Sequence, residues 1–308
     1  MRRTLVIRNP NAGRGRAQRA WPEAERALQA AGLEFDAVAT DAPGQAAALA
    51  ERAVQNYVAV VALGGDGTVH ENVNGLLRAS GGCETIALGV LPLGSGDDFA
   101  KMLAPQAPVG GMPLPWQAAV ASIAAGRTRM FDAGRLDAGP VMRYFANGMD
   151  IGFGARGAAN AVAMPQVLKG QARYLGALAR TLVDYANPAV RLTIDDAPAL
   201  ELNTTMTAVM NGRCFGGSFW VCPEARADDG LLDVMVAGAL GRLAILGLVP
   251  KIMRGAHTGD ARIRMLRARR VLIESDETLA VEADGELPFA PARRVEVTVL
   301  PGVLRVFG

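Results

Sequence analysis

Apolar and polar positions along the first third of the chain switch between two periods. Thr4–Arg8 is a short apolar run, and Ala17–Ala31 then repeats apolar residues at helix spacing. Trp21, Ala24, Leu28 and Ala31 share one face of that helix, and Gly32 stops it. Strands are predicted next at 33–40, 58–63 and 86–91, alternating with helices at 45–55, 69–79 and 116–125. Alternation of this kind predicts a parallel, Rossmann-like α/β sheet covered on both faces. Beyond residue 130 the pattern changes to short strand-like runs: 129–136, 143–148, 190–194, 204–211, 232–237, 262–266, 270–273, 279–282 and 295–300. Helical spacing returns only at about 158–165, 175–185 and 240–253. This half predicts a mainly antiparallel β-sandwich domain with a few helices. The boundary falls at 1–128 and 129–308, and the extreme C-terminus has the option of packing back on the first domain.

The chain turns on residues 58–76, VAVVALGGDGTVHENVNGL. The apolar run breaks at Gly64-Gly65-Asp66-Gly67-Thr68, and a helix starts at about Thr68. Glycines permit positive φ and leave backbone N–H groups uncovered. A helix start aims its free N–H groups and positive dipole end at the loop. Together they predict a polyphosphate seat. Two more loops follow strand ends, Asn9–Arg16 and Pro92–Phe99. Convergence of such loops is where open α/β sheets bind ligands.

Composition narrows the classes. The formal charge of +2 over 308 residues argues against a nucleic-acid binder. Cys83, Cys214 and Cys222 make no disulfide framework or zinc spacing, and two histidines exclude a histidine-rich metal site. No apolar run reaches the ~18 residues of a membrane span. The expected location is cytoplasmic, with peripheral contact at the inner membrane face.

Six motifs in order now carry a resemblance: NPNAGRG (9–15), GGDGTVHENVNGL (64–76), PLGSGDDFAK (92–101), NGMDIGFGA (147–155), FGGSFWVCPEARADDGLLDV (215–234) and EADGELP (282–288). The chain resembles the diacylglycerol kinase catalytic family, in particular its soluble bacterial lipid kinases. GGDGT alone also fits NAD kinases and phosphofructokinases; the DDG and DGE motifs separate these. The resemblance implies a phosphofructokinase- or NAD-kinase-like first domain and ATP as phosphoryl donor. It implies nucleotide contacts from Asn9, Pro10, Gly13, Thr40, Gly64, Gly65, Asp66, Gly67, Thr68 and Ser95. It also implies Mg2+ on Asp229 with backbone oxygens of Arg226 and Leu231, and catalysis at Asp284 and Glu286, with Glu286 as proton acceptor. Partners implied are a lipid substrate, an anionic membrane surface and a second copy in a homodimer.

Some positions depart from the family pattern. Ser95 keeps the hydroxyl of the usual Thr, but Asp97 replaces the usual Asn, losing two donors and adding charge near phosphates. That leaves open a non-catalytic nucleotide- or lipid-binding relative, beside a kinase of a soluble hydroxyl compound such as NAD. His70 and Asn72 suggest no chemistry. Phe215, Phe219, Trp220, Met149 and Leu175 are candidates for an acyl pocket. Arg262, Arg264, Arg267, Arg269 and Arg270 with Lys251 and Arg254 are candidates for lipid head groups.

Overall fold

The computed structural model describes residues 3–104, 108–163, 171–285 and 292–308. Glu286, the side chain of Leu175 and the end of the helix expected at 158–165 lie outside the described residues. The first half runs β1 (Arg3–Arg8), α1 (Ala12–Ala30), β2 (Phe35–Ala39), α2 (Gln45–Ala53), β3 (Tyr57–Gly64), α3 (Asp66–Ala79), β4 (Ala87–Pro92), α4 (Asp98–Met102) and α5 (Trp116–Ala124). It continues through β5 (Thr128–Ala138), β6 (Val141–Phe145), β7 (Gly148–Gly152), α6 (Phe153–Ala163), α7 (Gln171–Asp184), β8 (Ala189–Ile194) and β9 (Leu200–Met210). The last elements are β10 (Leu232–Gly238), α8 (Arg242–Met253), β11 (Ile263–Ala268), β12 (Arg270–Leu279), β13 (Val281–Ala283) and β14 (Ala292–Phe307).

Strands β2, β1, β3 and β4 lie side by side and parallel. β3 reads as an unbroken apolar run because both of its faces are covered. Val60 and Ala62 pack with Val73 and Leu76 of α3, while Val61 and Leu63 pack with Trp21 and Leu28 of α1. The C-terminal half is antiparallel and sandwich-like, with β8 and β14 flanking β12 and with β7 and β10 flanking β9. Its core interleaves Leu192, Val271, Ile273, Val295 and Val297. The final strand joins the halves: β14 pairs antiparallel with β5 and β12, and its Val306 pairs parallel with Leu88 of β4.

Boundaries differ from the sequence expectation where side chains take over backbone bonds. The strand expected at 143–148 is two strands, β6 and β7, because Ala146, Asn147 and Gly148 give their N–H groups to the Asp284 carboxylate. Ala31 is exposed as the cap of α1 and leaves the buried face to Ala17, Trp21, Ala24 and Leu28. Helix α3 starts at Asp66, two residues earlier than the pattern suggested. Among the described residues no helix is long and apolar enough to cross a membrane.

Candidate functional site

The loops after β1, β2, β3 and β4 meet at the carboxyl edge of the parallel sheet. They enclose a cavity of about 400 Å³ lined by Asn9, Gly13, Thr40, Gly65, Gly67, Thr68 and Ser95, among others. Pro10 and Gly64 stand outside this lining. Gly64, Gly65 and Gly67 do not have positive φ. Gly64 and Gly65 are glycine for lack of room: a Cβ on Gly64 would collide with Thr68 Oγ1, and one on Gly65 would lie 2.8 Å from Gly94 Cα. Gly13 has both constraints, a φ of +56 and the Leu93 carbonyl oxygen standing where a Cβ would have to go. Asn9 ties two loops together, donating to Thr68 Oγ1 at 3.3 Å and accepting from the Asn11 N–H at 3.0 Å. Glu71 accepts from the Gly44 and Ala46 N–H groups, so the start of α2 is already satisfied.

A second cavity, about 710 Å³, lies between the glycine loop and the C-terminal half. Gly67 and Ser95 line both cavities. Val69, Phe99, Phe215, Phe219, Val249 and Met253 give the larger one an apolar wall, and Asp66, Asp98, His70 and Asp284 give it a polar one. Trp220 and Met149 are core residues outside this lining.

The acids at the junction are closely tied. Asp66 is half-buried on the wall of this cavity, and desolvation followed by the nearby Asp98 charge pushes its pKa up to about 7, against a hydrogen bond from the Phe99 N–H at 3.1 Å. Asp98 accepts from Lys101 Nζ and from the Gly217 N–H, each at 2.7 Å, and Lys101 also donates to the Gly217 carbonyl at 2.7 Å. This triad latches the Pro92–Phe99 loop to the Gly216-Gly217 turn of the other half. Burial and Asp98 push the Cys214 thiol far up, which makes it a packing group. Asp97 sits at φ +52, accepts from the Gly94 N–H at 2.8 Å and faces Arg16 at 3.5 Å. Arg16 in turn donates to the Gly94 carbonyl at 2.6 Å. The charge that Asp97 adds is therefore met by an arginine of the same chain, and its acceptor oxygen closes the turn.

Asp284 collects four donors: Ala146 N–H at 3.0 Å, Asn147 N–H at 2.9 Å, Gly148 N–H at 3.0 Å and His70 Nδ1 at 3.0 Å. A carboxylate has about four lone-pair sites, so this one is full. Beneath the turn, Glu282 is buried against Asp150 and accepts from the Gly285 N–H at 2.7 Å. Burial, then the Asp150 charge, raises the Glu282 pKa, and burial raises that of Asp150 to about 6. Both shifts favour a proton on this pair.

The Asp228-Asp229-Gly230 turn lines neither cavity. Asp229 accepts from the Leu231 N–H at 3.2 Å and pairs with Arg267, while Arg226 pairs with Asp228 at 3.1 Å. Asp132 holds the turn through the Gly230 N–H and the neighbouring Gly302 N–H, both at 2.7 Å. Asp233 lies beside Asp229 and Arg267; its Oδ2 is buried without a partner, and burial pushes its pKa up to about 6. Two carboxylates with one orphaned oxygen, paired with the half-exposed Arg267, fit a hard oxygen-seeking dication. Most of the basic cluster nearby is already paired: Lys251 and Arg262 with Asp260, Arg267 with Asp229, and Arg270 with Glu296.

Asp98, Lys101 and His70 are the site residues that sequence reasoning missed. The first two lie inside the PLGSGDDFAK motif, and their acid–base spacing of three was visible. The sequence around His70 carries no chemical signal, yet the residue is buried and spans the two halves to Asp284, 214 positions away.

Residues 3–136 match the family of the diacylglycerol kinase catalytic domain, and residues 148–308 match that of the YegS C-terminal NAD kinase beta sandwich-like domain. A diacylglycerol kinase of Mycobacterium tuberculosis is 30% identical over 309 residues, covering 99% of this chain and 94% of that protein. The crystal structure of a diacylglycerol kinase from Bacillus anthracis superposes with a TM-score of 0.72 at 21% identity, covering 99% of this chain and 96% of that one. An NAD kinase from Archaeoglobus fulgidus in complex with ATP gives a TM-score of 0.56 at 11% identity, covering 99% and 93%. At these identities the two structures show a shared fold only.

Proposed function

Since the chain belongs to the diacylglycerol kinase and YegS-like lipid kinase family and is an ATP-dependent kinase, we propose that it phosphorylates a hydroxyl of diacylglycerol or a related lipid, such as phosphatidylglycerol or a sphingoid base. The observation that carries this reading is the joining of two unlike cavities. A small polar one sits on the glycine loops, and a large one with an apolar wall opens beside it through Gly67 and Ser95. ATP phosphates suit the first, where backbone N–H groups and the Asn9, Thr40, Thr68 and Ser95 side chains gather. An acyl chain suits the second. A dinucleotide acceptor such as NAD has no use for a wall of Phe215, Phe219, Val249 and Met253.

In the transfer, the acceptor hydroxyl oxygen bonds to the γ-phosphorus, the bond from that phosphorus to the β,γ-bridging oxygen breaks, and ADP leaves. The hydroxyl proton goes to Glu286 as general base. Asp284 is filled by its four donors, so its part is to hold the turn from which Glu286 follows. Magnesium would be held by Asp229 with the Arg226 and Leu231 carbonyl oxygens, Asp233 adding its orphaned oxygen and the ion replacing Arg267 as counter-charge. Asp66, next to Gly67 on the wall of the larger cavity, would order the glycine loop or reach the cation that accompanies ATP. A bound divalent cation supplies charge neutralisation for the phosphates.

The test is a phosphorylation assay over diacylglycerol, phosphatidylglycerol, sphingosine and NAD. One of the lipids is expected to turn over, and Glu286→Gln to lower kcat by about 10² or more. Turnover of NAD with none of any lipid would remove the reading.

A further inference from the structure

Helix α8 is apolar almost all round, and its outward side is the part the fold leaves uncovered. Ile245, Leu248 and Ile252 point into the core. At 3.6 residues per turn, Leu243, Leu246, Gly247, Pro250, Met253 and Arg254 fall on the opposite side. All six are exposed, Leu243 at 85%, Leu246 at 54% and Met253 at 43%. Val183, at the end of α7, is 61% exposed, and its carbonyl accepts from Arg242 at the start of α8, so it extends the same patch. Such a patch in a water-facing helix calls for a covering partner.

Two observations identify the partner. The first is continuity with the large cavity. Val249 and Met253, on the flank of α8 next to Leu246, line that cavity, so the apolar surface runs without interruption from its wall onto the outer face of the helix. The second is charge. From Gly241 to Gly259 the chain has no Asp or Glu, and Arg242 and Arg254 stand at the two ends of the stripe, while Lys251 beside it pairs with Asp260. An apolar stripe edged by cations matches the boundary between acyl chains and anionic head groups.

We infer that the α8 face is the surface by which this protein docks on an anionic lipid bilayer, bringing the mouth of the large cavity against the membrane that holds the acceptor. The inference rests on the lipid-kinase reading for its purpose. It moves the membrane contact from the strand arginines at 262–270, largely paired with acids, to a helix. Leu243 and Leu246 enter the acyl boundary, Arg242 and Arg254 stay at head-group level, and an acceptor lipid slides along Met253 and Val249 without crossing water.

The experiment is co-sedimentation of the full chain with vesicles of phosphatidylcholine alone and of phosphatidylcholine mixed with phosphatidylglycerol. Wild type is expected to bind the mixed vesicles. Leu243→Glu/Leu246→Glu should weaken that binding by at least about tenfold, because two leucines leave the acyl boundary and two negative charges meet an anionic surface. Arg254→Glu should weaken binding to the mixed vesicles several-fold and leave the weak binding to pure phosphatidylcholine unchanged. The leucine variant should keep the wild-type thermal midpoint and its turnover of a short-chain, water-dispersed diacylglycerol, since neither leucine lines either of the two joined cavities. Wild type that ignores vesicles, or a double variant that binds like wild type, overturns the inference. So does light scattering that finds a wild-type dimer made monomeric by the double variant, because the face then belongs to a second copy. Short-chain turnover without vesicle binding sinks the docking surface and spares the kinase reading; vesicle binding through α8 with no lipid turnover does the reverse.

Discussion

Asp284 shows how one residue's lone pairs decide its role. Four N–H donors converge on two oxygens, three from the backbone of 146–148 and one from His70 on α3. Asn74 Nδ2 stands 3.3 Å from the other ring nitrogen, so both ring nitrogens of His70 face fixed partners. His70 thus fastens the glycine-loop helix to the turn that precedes Glu286. Asp284→Asn isolates this effect. Asparagine tolerates the φ of +51 at this position, so the backbone is not strained by the change. Its amide, however, would present donors to two of the four donors now satisfied. Loss of these charge-assisted bonds is expected to cost about 2–4 kcal/mol. Thermal melts should show a lower midpoint, and steady-state kinetics a lower kcat with the KM for ATP little changed. A variant melting like wild type would show that the four contacts do not hold the turn.

Among the elements, the β3–α3 turn is set by close approach of backbones. Gly65 has φ −107, a value open to any residue, yet a methyl group there would meet Gly94 Cα at 2.8 Å. That atom is backbone and has no rotamer to yield. Gly65→Ala should push the β3 and β4 loops apart, raise the KM for ATP about tenfold or more and cost about 1–3 kcal/mol of stability. Unchanged ATP kinetics would mean that the loops do not form the nucleotide seat. Sequence reasoning located this turn because β3 is apolar on both faces and three glycines interrupt it. It assigned the glycines to positive φ, since a one-dimensional pattern carries no trace of the neighbouring loop at Gly94. The same limit hid α4, whose five residues are too few for a period, and the His70–Asp284 link, whose partners no local spacing relates. Helix α8 was legible as a helix; its exposed side was not, because a segment apolar all round does not say which side meets the core.

At the scale of the molecule, the two halves clasp around the large cavity through β14, the Lys101–Gly217 bond and the His70–Asp284 pair, and several carboxyls are buried or half-buried within the fold. Burial is the leading cause of the raised pKa of Asp66, about 7, of Asp150 and Asp233, each about 6, and of Glu282. A carboxyl whose folded pKa exceeds its unfolded one holds its proton more tightly in the folded chain. Its contribution to stability is complete below the unfolded pKa, near 4, and is lost as pH rises through the folded pKa. The thermal midpoint should therefore fall by several degrees as pH rises from about 4 toward 7. Glu282→Gln tests the largest coupled part of this. The Gln amide can donate to Asp150 and its carbonyl can accept from the Gly285 N–H, so the variant meets both neighbours without a titrating proton. Asp150 then ionises beside a donor instead of a second acid. The variant's midpoint should fall less steeply with pH than that of wild type, and the gap between the two curves should widen in the variant's favour above pH 6, where Asp150 gives up its proton in the wild-type chain. Parallel curves would mean that the Glu282–Asp150 pair does not titrate as one unit, and that the pH dependence belongs to Asp66 and Asp233.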